Sequence, residues 1–269
     1  MYNKFVILFV ETFFLNFRLA ERPSMSKIFC VTEYFANNWQ FLLGVEDKNM
    51  NKKGILVVIS GFSGSGKGTV MKKLMSEYGD SYALSVSATT RAPRVGEEHG
   101  IDYFFVTKDE FESMIEKDEL VEYAQYVSNY YGTPRKYVEE QLLAGKNVIL
   151  EIEIQGALKI KEKFPETTLM FLTAPNATVL KKRLVGRGTE SKEVVEARLS
   201  RAYEESLGVE QYDYIVINDE LEDCVKCIHT ILTNQKASHQ EANTAHCISS
   251  NIDFINNMRK ELLNFSKGE

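Results

Sequence analysis

Four cysteines in 269 residues are too few for a disulfide framework, so a reducing, cytoplasmic setting is expected. An excess of basic charge is also missing: 32 Lys and Arg stand against 38 Asp and Glu, a net charge of -6. That balance argues against a surface that coats nucleic acid. No apolar run suits a membrane span. The best candidate, Phe5 to Phe17, is interrupted by Glu11 and Asn16 and falls short of the roughly 18 residues required. The same run follows Lys4 in the manner of a signal peptide, but no A-x-A-like cleavage site comes after it. Internal repeats and low-complexity segments are lacking too. With 44% hydrophobic and 26% charged residues, the chain reads as globular and able to bury one substantial core.

What is present is a glycine-rich segment, Gly61-Phe62-Ser63-Gly64-Ser65-Gly66-Lys67-Gly68-Thr69, directly after the apolar run Ile55 to Ile59. A strand before it and a helical pattern after it (Val70, Leu74, Met75) are the context of a phosphate-binding loop. Glycines let the backbone curl until several N–H groups face one oxyanion, and the following helix adds the positive end of its dipole. Lys67 brings a mobile charge for the β and γ phosphates of ATP. One position departs from the general pattern. Gly68 stands where a Ser or Thr usually holds Mg²⁺, and the hydroxyl comes one residue later, at Thr69. The metal is then expected to be held chiefly by the phosphates and to keep much of its water.

Strand-like runs at Ile55 to Ser60, Asn147 to Glu151, Thr168 to Thr173 and Tyr214 to Asn218 alternate with helix patterns. The alternation predicts an α/β fold with a mainly parallel sheet flanked by helices. Helix punctuation agrees: Thr107 to Glu110 reads as a capping box, Thr133-Pro134 as a helix start with proline at its first position, and Gly145 and Gly186 as stops. Residues 85–133 break the alternation with short runs at Asp102 to Val106 and Leu120 to Tyr126 and an aromatic turn, Asn129 to Gly132. An inserted, partly antiparallel subdomain is expected there.

Composition shifts at both ends. Residues 1–49 hold half of the sixteen phenylalanines and the only tryptophan, Trp39, so they read as an upstream extension, with Met50 the functional start. Residues 50–235 form the nucleotide domain. Beyond them, Lys236 to Ser249 reads as a polar linker, and Ile252, Ile255, Met258, Leu262 and Leu263 as one face of a terminal helix that docks on the domain or binds a partner. Cys224 and Cys227, with His229, His246 and Cys247 near in sequence, have a spacing seen at zinc sites. The same cysteines fit the apolar face of a helix with Leu221, Val225, Ile228, Ile231 and Leu232, and no second spaced pair accompanies them.

Seven further motifs follow in order: Ser85 to Arg94, Gly96-Glu97, Gly100 with Asp102 to Phe105, Glu122 to Gln125, Asn129 to Gly132, Glu151 to Gly156 and Gly186 to Glu190. With these motifs the chain resembles the guanylate kinases from about Lys53 to Leu232. The resemblance implies a P-loop nucleoside monophosphate kinase fold, with a GMP-binding insert at about 85–133 and a mobile lid at about 186–200. It implies transfer of the γ-phosphoryl group of ATP to GMP, and to dGMP, with Mg²⁺, giving ADP and GDP. ATP and GMP are the expected partners, for a monomer or a homo-oligomer, with no nucleic acid and no membrane.

The residue chemistry runs the same way. A dianionic acceptor phosphate must be gripped, and Arg91 and Arg94 offer two guanidinium forks on either side of the Ala92-Pro93 turn. The resemblance adds Tyr103 and Tyr131 at that phosphate and Glu97 to the GMP-binding set. Guanine presents N–H groups at N1 and N2, which call for carboxylates, and O6, which accepts from a hydroxyl. Glu122 and Glu153 supply the first and Ser87 and Thr133 the second, as the family resemblance also implies. Many relatives carry aspartate where Glu151 and Glu153 stand. Glu151 ends an apolar strand, so it is either a site for Mg²⁺-bound water or a plain strand-end charge. Arg187 and Arg198 are assigned to the transferring phosphate and Arg183 to the ATP side. Asn218-Asp219 lies where the family holds adenine, and Asn-Asp also suits a turn.

Two other readings draw on these residues. Guanylate-kinase-like binding modules have lost turnover and typically degrade the phosphate loop, whereas Lys67, the loop glycines and the lid arginines all stand here. A kinase for another acceptor would not need Ser87, Glu122 and Thr133 together.

Overall fold

The computed structural model describes residues 53–126, 128–186, 191–237 and 240–266. Residues 1–52, with the expected extension and Met50, lie outside the described residues, and so does the lid segment 187–190 with Arg187.

Among the described residues, five parallel strands form the main sheet: β1 (Leu56–Gly61), β2 (Tyr82–Leu84), β7 (Asn147–Leu150), β8 (Thr168–Thr173) and β9 (Tyr214–Ile217). Their order is β2-β7-β1-β8-β9, so β1 lies at the centre and delivers the glycine loop to the carboxyl edge of the sheet. Helices cover both faces, which explains why the strands read as unbroken apolar runs rather than alternating ones. On one face Val57 and Ile59 pack with Val70, Met71 and Leu74 of α1 (Lys67–Tyr78). Leu56 and Val58 point the other way, into a larger cluster.

The insert is a second sheet in the order β4-β3-β6-β5: β3 (Ala88–Thr89), β4 (Phe104–Phe105), β5 (Leu120–Tyr126) and β6 (Asn129–Pro134). It is partly antiparallel, as expected, since β6 runs against both β3 and β5. Helix α2 (Lys108–Glu116) closes it, opened by the predicted capping box of Thr107 and Glu110. Phe111 of α2 fills a small separate core with Ala88 and Leu120.

The remaining helices are α3 (Arg135–Leu143), α4 (Ile154–Lys163), α5 (Ala177–Val185), α6 (Lys192–Ser206), α7 (Leu221–Lys236) and α8 (Ile252–Ser266). The cysteine-bearing segment is the helix that the apolar spacing suggested, with Cys224, Val225, Ile228, Ile231 and Leu232 buried on one face of α7.

Three local expectations differ from what forms. Pro134 does not open α3 from within; it is still extended at ψ 123 and pairs with Leu120, so the helix starts at Arg135. Asn129 to Gly132 is strand rather than turn: Tyr130 and Tyr131 pair with Gln125 and Ala124 of β5, and the Tyr130 ring stacks on Phe111 with centroids 5.2 Å apart. In the expected linker, Lys236 ends α7, and short 3-10 turns form at Gln240–His246 and Ile248–Ser250. They are held by a buried side chain and by backbone pairing to the sheet edge. The Asn243 amide donates to the Ile231 carbonyl at 3.0 Å, and Cys247 bridges Tyr214 on the outer edge of β9. That bridge protects part of an edge strand which would otherwise offer unpaired backbone groups.

Candidate active site

The glycine loop is shaped by backbone geometry. Gly64 and Gly66 both adopt φ of 89°, which L side chains resist, and a Cβ at Gly66 would meet the Asn218 amide nitrogen at 2.5 Å. That amide donates to the Ser65 carbonyl at 2.8 Å. Asn218, expected beside adenine, thus also braces the phosphate loop. The Phe62 ring turns away from the loop mouth and packs edge-on against Phe171, with centroids 4.8 Å apart. Its candidacy for ATP rests on its backbone alone. The Ser65 hydroxyl is buried and has no partner in the protein, an orphaned donor in a loop that opens a helix. A phosphate oxygen would satisfy it, so the cradle fits a polyphosphate.

Two helices bring arginines to this loop. Arg183, in the last turn of α5, donates to the carbonyls of Ser65 and Asp219, both at 3.4 Å. Arg198 of α6 donates to the Ser63 hydroxyl at 2.6 Å. Glu151 follows β7 beside the loop, where burial pushes its carboxyl above the ordinary range and the charge of Lys67 pulls it back. Thr69 is exposed in the first turn of α1. Among the described residues no group of three or more His, Cys, Asp and Glu converges to hold a metal ion. A single half-buried carboxylate beside a cradle for polyphosphate suits an ion that arrives on the nucleotide.

The acceptor side is made of side chains. Arg91 meets Glu97 through two bonds of 2.9 Å, and Glu97 also accepts from the Arg94 amide at 2.7 Å. The pairing with Arg91 holds the Glu97 carboxyl below its usual range. The Arg91 guanidinium lies 5.2 Å from the centroid of Tyr103, which in turn lies 6.2 Å from Tyr131. Arg91, Tyr103 and Tyr131 thus lie together, with Glu97 holding the Arg91 guanidinium, while Arg94 is exposed and joins them through its backbone amide. Deeper in the insert, the buried Thr133 hydroxyl donates to Glu122 at 2.8 Å, while burial raises the Glu122 carboxyl above its ordinary range. Ser87, between β2 and β3, is fixed by its carbonyl, which accepts from the Phe104 amide at 2.9 Å. Glu153 stands exposed at the N-terminus of α4.

Sequence reasoning missed Arg201 and Glu205. Arg201 reaches Glu153 at 3.5 Å and Glu205 at 3.4 Å, tying α6 to the residue expected at the base. Burial raises the Glu205 carboxyl, and Glu153 adds to the rise while Arg201 and Lys67 oppose it. A signal existed: Arg198, Arg201 and Glu205 are spaced to share one helical face.

Comparison with known proteins agrees with this geometry. The family model described as guanylate kinase matches residues 53–235. Curated guanylate kinases include one from Halalkalibacterium halodurans, 50% identical over 189 residues that make up 70% of this chain and 92% of that protein. Another, from Oceanobacillus iheyensis, is 52% identical over 69% of this chain and 90% of its own length. Among solved structures, guanylate kinase from Anaplasma phagocytophilum superposes with a TM-score of 0.55 at 33% identity, covering 69% of this chain and 87% of that one. A phosphate loop, a guanidinium-lined insert and relatives alike over nine-tenths of their length place the chain in the guanylate kinase family.

Proposed function

We propose that this protein transfers the γ-phosphoryl group of ATP to GMP, and also to dGMP, releasing ADP and GDP for guanine nucleotide supply. A phosphate oxygen of GMP attacks the γ phosphorus, and the bond to the β–γ bridging oxygen breaks as ADP leaves. The acceptor is already an anion, so the protein needs charge neutralisation and alignment more than a base. Lys67, Arg183, Arg187 and Arg198 are assigned to the charge on the donor and transferring phosphates. Arg91, Arg94, Tyr103 and Tyr131 are assigned to the GMP phosphate, with Glu97 aligning Arg91. Ser87, Glu122, Thr133 and Glu153 read the base. Glu151, through water, and the Thr69 hydroxyl are the candidates to hold Mg²⁺, which supplies charge neutralisation on the β and γ phosphates when bound. Residues 50–235 form the catalytic domain on this reading, with the lid at about 186–200. Among the described residues no helix is long and apolar enough to cross a membrane, and the enzyme is assigned to the cytoplasm.

The observation that carries the substrate choice is the half-buried Glu122 carboxylate bonded to the buried Thr133 hydroxyl. Guanine N1–H and N2–H satisfy such a carboxylate, whereas adenine leaves it unpaired, and that difference sustains discrimination of order 10⁴. The test compares GMP, dGMP, AMP and UMP as acceptors in a coupled assay for ADP. Turnover with GMP and dGMP and about 10⁴-fold less with AMP is expected. No ADP formation with GMP, or equal use of AMP or UMP, would overturn the reading.

A further inference from the structure

The family match ends at residue 235, yet α8 lies beyond it and packs into the main core rather than trailing from it. Its apolar face, Ile255, Met258 and Leu262, is buried in the cluster that holds Leu180 and Leu184 of α5 and Val195, Leu199 and Ala202 of α6. These two helices carry Arg183 and Arg198; α5 precedes the lid expected at about 186–200 and α6 overlaps its second half. Polar contacts from α8 fall at defined points on both sides. The Glu261 carboxylate accepts from the Ala177 amide at 2.9 Å, at the first residue of α5. Asn176 caps the same helix at Val179, so two of its first amides are satisfied, one of them from 84 residues away in sequence. Arg259 donates to the Ser206 carbonyl at 2.8 Å, at the end of α6, and pairs with Glu210 at 2.7 Å. Lys181 of α5 sits 4.3 Å from the centroid of Phe265.

We propose that Glu261 and Arg259 are positioning residues for phosphoryl transfer, holding α5 and α6 so that Arg183 and Arg198 are set toward the donor phosphates. The proposal rests on the assignment of those arginines above. A helix N-terminus that loses a carboxylate partner frays, and Arg183 lies in the last turn of this nine-residue helix. Loosened helices must be ordered anew each time ATP is engaged, whereas the insert that grips GMP makes no contact with Glu261 or Arg259 among those described.

The test uses the full chain. Wild-type turnover with ATP and GMP is measured first, and its absence would defeat the proposed function rather than this inference. Glu261→Ala is then expected to raise KM for ATP about three- to tenfold with KM for GMP unchanged, as loss of a helix cap predicts. Glu261→Gln, which keeps a carbonyl acceptor for the Ala177 amide, restores most of the difference. Arg259→Ala gives the same split independently through α6. Hydrogen exchange adds a readout that does not depend on activity: in Glu261→Ala the amides of α5 exchange faster, while those of β1 do not. Equal changes in both Michaelis constants, no change in either, or a glutamine variant no better than alanine would overturn the proposal.

Discussion

The donor and acceptor sides of the site are built from different materials. The donor cradle is chiefly backbone, two glycines with positive φ and a helix N-terminus, completed by the Ser65 hydroxyl and braced by the Asn218 side-chain amide. The acceptor side is side chains that already satisfy one another, Arg91 with Glu97 and Thr133 with Glu122. A cradle of backbone is complete before its ligand arrives, and its order comes from the sheet beneath it. On the proposed assignment a set of paired side chains exchanges partners when GMP enters, so its selectivity comes from which pairs are given up and which are replaced.

The largest effect that distinguishes the two is Lys67→Met. Turnover is expected to fall about 10³-fold, the scale of removing a group that stabilises transition-state charge, while GMP binding measured by calorimetry is retained. Near-normal turnover at saturating ATP and GMP would break the division. Arg94→Met removes one charge-assisted grip and is expected to raise KM for GMP about 10- to 100-fold with little change for ATP. Equal rises in both constants would show that the two sides are not separable.

The smallest effect is a pH dependence confined to the acceptor side. Burial lifts the Glu122 carboxyl above 4.5, and reading N1–H and N2–H requires its ionised form. GMP affinity is therefore expected to weaken as pH falls through the raised value, by at most about tenfold per pH unit, and Glu122→Gln to remove that slope. In stability the sign is reversed. Between the ordinary and raised values the folded chain holds a proton that the unfolded chain has lost, so stability falls as pH rises through that window. Melting temperatures of Glu122→Gln across the same range should lack this component.

The contrast also explains what the sequence disclosed. The loop from Gly61 to Thr69 was legible because a local motif, a strand and a helix all coincide within one stretch. The insert needed several scattered motifs read together, since Glu122 and Thr133, eleven residues apart, meet only through the pairing of β5 with β6. The pairing of Glu97 with Arg91 was not visible, because six residues of separation in a loop do not set which charges meet. Lys236 to Ser249 was read as linker because Asn243 and Ile248 anchor that stretch one at a time, leaving no period to detect. Pro134 was misplaced by one residue, where cross-strand pairing with Leu120 prevailed over the preference of proline for a first helical turn.

Phe62 ties the phosphate loop to the interior: its ring is wedged against Phe171 in the middle of the sheet, and Phe171 leans in turn on Tyr212. These edge-on contacts couple the position of the loop to the packing of the sheet. On the proposed assignment, nucleotide captured by the loop is expected to act as a staple that raises the melting temperature of the fold beneath it.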